Sequence, residues 1–433
     1  MDLPTVLDPE DDVGDGHTYG TGMQVLFVRL VLAGTSLRGA ARVLALLAEV
    51  LGWCVPTPHW TTGRLWLLRL GHAVLTEAKV QAEDWAWLID HSVQIGPEKC
   101  LAIVGLRLRD LPPPGQCLTH QNMKLIALVP GQSWTQADVD TALEAARRQT
   151  GVPRVIVNDY GGDVHGGVQC FQQRHPQTAE IYDVKHKAAC LLKSRLEKNP
   201  RWRDFQHRLG QTRCAIQQTE LAFLTPPGPK PKARFMNLAP TLQWAAQVVA
   251  ILRRPPEVLY DWVTAPRLYE KLGWVEEFAE DVAVWSEWQT VVDTVVSFVN
   301  HQGISRGAAR TLRAELPPGL SASSRSLAEQ LVGFIAKQGR ATRRGERLPG
   351  STEVLESCFG RFKQLEKQQA RGGFTSLLLG FGALLAEITM ETVKQALAHS
   401  CTSKVISWCK EHLGITLFAQ RKLTYAASAT DPG

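Results

Sequence analysis

The sequence predicts an α/β protein: a mixed sheet interrupted by a large all-helical insertion and preceded by a helical domain. Three observations predict it. Between Asp84 and Val184 five short apolar or β-branched runs occur, the first three in direct succession and the last two set off by helical spacing. From about Pro200 to Arg347 no run reads as a strand, while apolar residues recur at helical intervals. Before Asp84 the chain holds only helical patterns punctuated by capping residues. A chain of 433 residues, 44% hydrophobic and 21% charged, is long enough for several structural units with a sizeable core.

Taken in order, residues 1–21 are rich in Asp and Gly and read as a mobile tail. From Gln24 a helix starts, and Thr35-Ser36 caps a second one bearing Arg38 and Arg42. A third follows Pro56-Thr57-Pro58, carries Arg64 and Arg69, and is expected to close at Gly71. Three short helices with a basic last member resemble a helix-turn-helix. Asp84 to Asp90 reads as the first strand, Gly96 to Lys99 as a turn, Cys100 to Leu108 as the second strand and Met123 to Val129 as the third, an antiparallel meander. Thr135 to Gln149 has helical spacing, and Arg154 to Asn158 is a buried strand ending at Asp159. Ala179 to Val184 is the fifth strand, and Lys185 to about Phe205 reads as one long helix. Helices are expected over Leu242–Leu252, Glu257–Leu272, Val284–Val299 and Leu327–Ile335, with breaks at Pro226 to Pro229 and Leu316 to Gly319. A last helix starts behind Ser351-Thr352 and carries Glu353 and Glu356.

Composition narrows the function classes. A net charge of +6 and a pI near 8.8 are mild for a nucleic-acid protein, so the placement of charge has to carry that argument. Nine cysteines without a Cys-x-x-Cys pair argue against a disulfide framework and against zinc, and predict reduced thiols in the cytoplasm. Cys170 and Cys190 read as small buried apolar residues. The acidic start lacks the order of a signal peptide, and no apolar run reaches a spanning length, so no membrane partner is expected. The tryptophans of the insertion, including Trp244, Trp262, Trp274, Trp285 and Trp288, read as packing residues, with stacking on a flipped base as the alternative for one of them.

The chemistry lies in the carboxylates. Aspartates on the first and fourth strands with a glutamate on a late helix give the convergence from separate elements that two-metal phosphoryl transfer requires, with ions about 3.5–4 Å apart. The segments Trp87-Leu88-Ile89-Asp90-His91, Val157-Asn158-Asp159-Tyr160-Gly161-Gly162-Asp163, Tyr182-Asp183-Val184-Lys185-His186-Lys187 and Ser351-Thr352-Glu353-Val354-Leu355-Glu356-Ser357 occur in the order of the DDE transposase motifs. Over roughly Trp85–Leu196 and Gly350–Arg371 the chain resembles that family, as found in bacterial insertion sequences. The resemblance implies a ribonuclease H-like catalytic domain, two magnesium ions with manganese as a substitute, and DNA cleavage and strand transfer at terminal inverted repeats. The implied partners are double-stranded transposon-end and target DNA, and a second copy or more in a synaptic complex. The implied location is the cytoplasm, at the nucleoid.

Carried over residue by residue, the resemblance assigns the catalytic and metal-binding roles to Asp90, Asp159 and Glu356, with Asp163 and Glu353 as alternates. A ligand on a rigid strand end favours Asp159 over Asp163. His91 and His165 read as structural, because magnesium prefers oxygen. Candidate DNA contacts are Arg38, Arg42, Arg64, Arg69, Lys187, Lys193, Arg340, Arg343, Arg344 and Arg347, and Lys363 and Lys367 after Glu356 on its helix. The implied domains are a tail (1–21), a helical DNA-binding domain (22–80), the first part of the catalytic domain (81–200), a helical insertion (201–347), the glutamate-bearing part (348–395) and a C-terminal helical region and tail (396–433). Two other functions fit the same residues: a nuclease or resolvase that cuts without joining, and a catalytically silent DNA-binding derivative.

Overall fold

The computed structural model describes residues 18–53, 55–95, 98–228, 235–367, 375–415 and 417–429. Most of the expected tail, Gly96-Pro97 of the first turn and Pro229 of the first break lie outside the described residues. The chain opens with α1 (Thr21–Leu32), α2 (Leu37–Leu51) and α3 (Trp60–Thr76). Then come β1 (Trp85–Ile95), β2 (Glu98–Arg107), β3 (Lys124–Gly131), α4 (Gln136–Thr150), β4 (Val155–Asn158), α5 (Gly162–Arg174) and β5 (Ala179–Tyr182). A run of helices follows: α6 (Val184–Leu196), α7 (Pro200–Ile216), α8 (Ala239–Arg253), α9 (Ala265–Leu272), α10 (Ala279–Gln302), α11 (Ala308–Glu315) and α12 (Ala322–Gly339). The chain closes with α13 (Glu353–Lys367), α14 (Gly380–Leu385), α15 (Met390–His399), α16 (Thr402–His412) and α17 (Leu417–Ala429).

These elements form two compact units. One comprises Met1–Pro112, Leu118–Glu180 and Thr352–Gly433; the other comprises Pro113–Cys117 and Ile181–Ser351, so the boundary falls inside β5. The result is an α/β protein with a five-stranded mixed sheet in the order β3-β2-β1-β4-β5. β1 pairs antiparallel with β2, β2 antiparallel with β3, and β1 parallel with β4. No helix among the described residues is long and apolar enough to cross a membrane.

The sheet is covered on both faces, which is why β1 reads as an unbroken apolar run from Trp85 to Ile89. Trp85, Trp87 and Ile89 point one way, into a core with Ile103 and Ile156, where Val139 and Leu143 of α4 and Val168 and Phe171 of α5 meet them. Burying each such side chain contributes roughly 1.5–3 kcal/mol. The alternate residues Ala86 and Leu88 are also buried, and α13 packs against β1, with α3 and α14 against β3. α4 is started by a reciprocal box: the Thr135 amide donates to Asp138 Oδ2 (2.9 Å) and the Asp138 amide to Thr135 Oγ1 (3.3 Å).

Two expected boundaries move. α3 does not close at Gly71 but continues to Thr76. Gly71 is there for close approach: a Cβ on it would stand 1.7 Å from the Leu379 carbonyl oxygen. The single helix expected from Lys185 to Phe205 is two, because Asn199 accepts the Trp202 amide (3.1 Å) and Pro200 takes the first position of α7.

In the second unit α10 is the central helix, burying Trp285, Trp288, Val291, Val295 and Phe298, with α6, α8, α11 and α12 packed around it. Phe205 of α7 sits among Trp202, Trp274, Phe278 and Trp285, with ring centroids 5.4–5.8 Å apart. The stretch expected as one helix over Glu257–Leu272 is a 3-10 turn, Glu257–Asp261, followed by α9, which begins at Ala265-Pro266. Among the described residues one isolated antiparallel bridge, Ile304 to Leu348, lies in this helical unit. Trp244, Trp285 and Trp288 are buried as expected of packing residues, whereas Trp262 is 61% exposed.

Candidate active site on the sheet

Asp90, Asp159 and Glu356 all belong to the first unit. Leu88 of β1 pairs with Val157 of β4 in parallel register. Carried on by two residues, that register sets Asp90 level with Asp159 at the same end of two neighbouring strands. Side chains alternate along a strand, so Asp90 projects to the face of Leu88, opposite the core that takes Ile89. α13 packs against β1, and none of its residues belongs to the core on the Ile89 side. Asp90 and Asp159 are half-buried.

The turn after β4 holds Asp159 firmly. Asn158 is fully buried; its side-chain oxygen accepts the Tyr160 amide (2.7 Å) and its amide donates to Glu180 Oε1 (2.8 Å). Asp159 Oδ1 accepts the Gly161 amide (2.8 Å). Tyr160, at φ 58°, is the one non-glycine residue with positive φ among the described residues, an uncommon conformation for a bulky side chain. It is compensated by stacking on His165, ring centroids 4.1 Å apart, and His165 is itself bonded to Glu180 (2.8 Å). Burial and the neighbouring Glu180 push the Tyr160 hydroxyl up to about 12, so it stays protonated.

Asp163 is placed differently. Its Oδ2 is 2.9 Å from His91 Nε2, and its Oδ1 accepts the amide of Val164 (3.0 Å) at the start of α5. His91 points to the same face as Ile89, the α5 side, so Asp163 serves the face opposite Asp90. Burial lowers the His91 pKa even though Asp163 and Asp159 act to raise it, and Nδ1 is buried with no hydrogen-bond partner among the described residues. Asp159 and Asp163 still stand close: a Cβ on Gly161 would lie 3.1 Å from Asp159 Oδ1 and 3.4 Å from Asp163 Oδ1.

Glu353 and Glu356 occupy the first turn of α13, both half-buried, where the helix dipole favours carboxylates. The Thr352 carbonyl accepts the amides of Leu355 and Glu356, which starts the helix. Its buried stripe is Val354, Leu355, Cys358, Phe359, Phe362 and Leu365. At roughly 100° per residue Glu353 falls opposite the middle of that stripe and Glu356 nearer its edge. Lys363 and Lys367 are exposed on the same helix. Among the described residues no three His, Cys, Asp or Glu side chains are grouped closely enough to hold a metal ion.

The expected cationic residues fall into two sets. Arg38 and Arg42 are exposed on α2, Arg38 lying over the Trp60 ring (5.1 Å). Arg64 and Arg69 instead face inward: Arg64 donates to Ser376 Oγ (2.6 Å), and Arg69 to the carbonyls of Ser400 (2.6 Å) and Leu397. Burial lowers the pKa of both, and these bonds dock α3 on the C-terminal helices. In the helical unit Lys187 sits 6.0 Å over Phe334 and Lys193 pairs loosely with Glu197 (3.7 Å). Arg340, Arg343 and Arg344 are exposed, whereas Arg347 is half-buried, with its pKa lowered by that burial. Reading the sequence took His165 as structural but missed the buttress that it forms with Asn158, Tyr160 and Glu180. The one signal for it is the density of turn formers in Asn158-Asp159-Tyr160-Gly161-Gly162.

No protein-family model matches the chain, and no curated protein matches it. Among solved structures it is similar to the Drosophila P element transposase strand transfer complex, at 10% identity and a TM-score of 0.36, over 87% of this chain and 93% of that one. A likeness at that TM-score is too loose to assign chemistry to any residue.

Proposed function

We propose that the chain is a metal-dependent DNA strand-transfer enzyme of the DDE transposase kind, with a ribonuclease H-like catalytic domain and Asp90, Asp159 and Glu356 as its acids. The observation that supports this reading is the parallel pairing of β1 with β4, Leu88 against Val157 two residues before Asp90 and Asp159, together with the packing of α13 against β1. Three carboxylates are the hard oxygen donors that magnesium or manganese takes, and two such ions, when bound, would activate a water or DNA 3′-hydroxyl and stabilise the leaving oxygen. The side chains would have to turn toward one another to share them. The chain's own part is positional: the Asn158–Glu180 buttress fixes Asp159, and the buried stripe of α13 fixes the glutamate. Asp163, engaged with His91, is assigned to holding the start of α5.

Under this proposal, exposed Arg38, Arg42, Arg340, Arg343, Arg344, Lys193, Lys363 and Lys367 meet phosphates, while Arg64 and Arg69 hold the fold together. The DNA is the element's own ends and a target, joined in a complex with at least two copies of the chain. The test is magnesium- or manganese-dependent cleavage and joining of a labelled duplex carrying those ends. Loss of both products in Asp90→Ala, Asp159→Ala and Glu356→Ala, but not in Asp163→Ala or Glu353→Ala, is the expected result. Unaltered activity in the first three overturns the assignment. A second reading, a DNA-binding derivative without catalysis, is favoured by the ungrouped donors; it predicts duplex binding by the wild type with no cleavage under any divalent ion.

A further inference from the structure

In the helical unit an exposed thiol faces an oriented imidazole. Cys117 Sγ lies 3.3 Å from His301 Nε2. His301 Nδ1 is 2.7 Å from the Ser297 carbonyl, which can only accept, so Nδ1 carries the proton and Nε2 presents its lone pair to the thiol. The dyad is held from the loop side as well. The Gln116 amide donates to the Pro113 carbonyl (3.2 Å), closing a turn with Pro114 and Gly115 at its centre, and Gly115 has φ +93°, the left-handed value a type II turn asks of its third residue. The Gly115 amide donates to the His301 carbonyl (2.9 Å), which pins this turn to the end of α10 two residues before the cysteine. His301 stands in the last turn of α10. A nucleophile, an adjacent base and a third group that orients the base form the arrangement that activates a thiol.

We infer that Cys117 and His301 form a thiol-modification site for peroxide-class oxidants. The Cys117 sulfur attacks the nearer oxygen of a hydroperoxide and the O–O bond breaks. His301 Nε2 takes the thiol proton and passes it to the departing oxygen, which leaves as water or an alcohol. The sulfur is oxidised by two electrons to the sulfenic acid and the peroxide is reduced by two. This site is independent of Asp90, Asp159 and Glu356.

The experiment treats the full-length wild type, Cys117→Ser and His301→Gln with hydrogen peroxide in the presence of a sulfenic-acid trap, and follows each cysteine by mass spectrometry. Cys190 and Cys214, also exposed, serve as internal references, and buried Cys358 reports any loss of fold. Cys117 is expected to be trapped at least about tenfold faster than Cys214. In His301→Gln its rate should fall to the reference level while Cys190, Cys214 and Cys358 behave as in the wild type. A wild-type Cys117 no faster than Cys214 overturns the inference, as does a Cys117 rate unchanged in His301→Gln. The wild-type comparison decides the matter by itself if the variant exposes Cys358.

Discussion

Asp159 and Asp163 are four positions apart and stand over the same glycine, yet their hydrogen-bond partners differ. Asp159 is held by the Gly161 amide on a turn stiffened by Asn158 and Tyr160, whereas Asp163 is bonded to His91 and to the first amide of α5. Removing Asp163 leaves a buried imidazole without its partner, so Asp163→Ala should lower unfolding stability in denaturant titration by about 1–3 kcal/mol while retaining strand-transfer activity. Asp159→Ala should do the reverse, losing activity at a smaller cost in stability. Asp90 and Asp159 stand out in the sequence as candidates because a strand-end aspartate is marked by the apolar run before it. The fate of Arg64 and Arg69 was not, because their partners Ser376 and Ser400 lie 312 and 331 positions away and nothing local announces them. Cys190 was misread as buried for a related reason. It is exposed beside the Tyr182 hydroxyl (3.4 Å), and its place on α6 says nothing of which face the fold covers.

At the level of elements, the strands were legible because their apolar runs are short, β-branched and bounded by turn residues. Helix ends were less so, since the same glycine or proline ends one helix and continues another depending on what packs against it. Gly71 is the case in point, and Gly71→Ala should destabilise the protein by about 1–3 kcal/mol or more, because the new methyl must push α3 away from the Leu379 carbonyl. Thermal unfolding would show it, and an unchanged midpoint would mean that the close approach is absent in solution. At the break between α6 and α7 the cap is the cause, so Asn199→Ala should cost about 0.5–2 kcal/mol, and Asn199→Asp or Ser much less.

At the scale of the whole molecule, acid sensitivity follows from three histidines of the sheet-bearing unit. His72 is buried and hydrogen-bonded to Ser400 Oγ (3.0 Å), and burial lowers its pKa, with Lys404 and His399 adding to the effect. Burial does the same to His91 and, together with Arg361, to His120. Each binds its proton more weakly in the folded chain than at the ordinary value of 6.5, so the unfolded chain takes up more protons there. Stability should therefore be full above that value and fall as the pH drops below it. His72→Gln should flatten part of that slope in a series of unfolding curves between pH 7.5 and pH 5, and an identical slope would remove His72 from the account.

The succession of strands and the long helical run after them could be anticipated from apolar periodicity, but the proposed convergence of Asp90, Asp159 and Glu356 depends on strand register and on the packing of α13 against β1, which no local pattern encodes. Manganese binding measured by the ion's paramagnetic signal tests that convergence without needing the DNA sequence. The account predicts saturable binding by the wild type, retained in Asp163→Asn and Glu353→Gln and lost or weakened at least about tenfold in Asp90→Asn, Asp159→Asn and Glu356→Gln. Equal binding by all five variants and the wild type would contradict it.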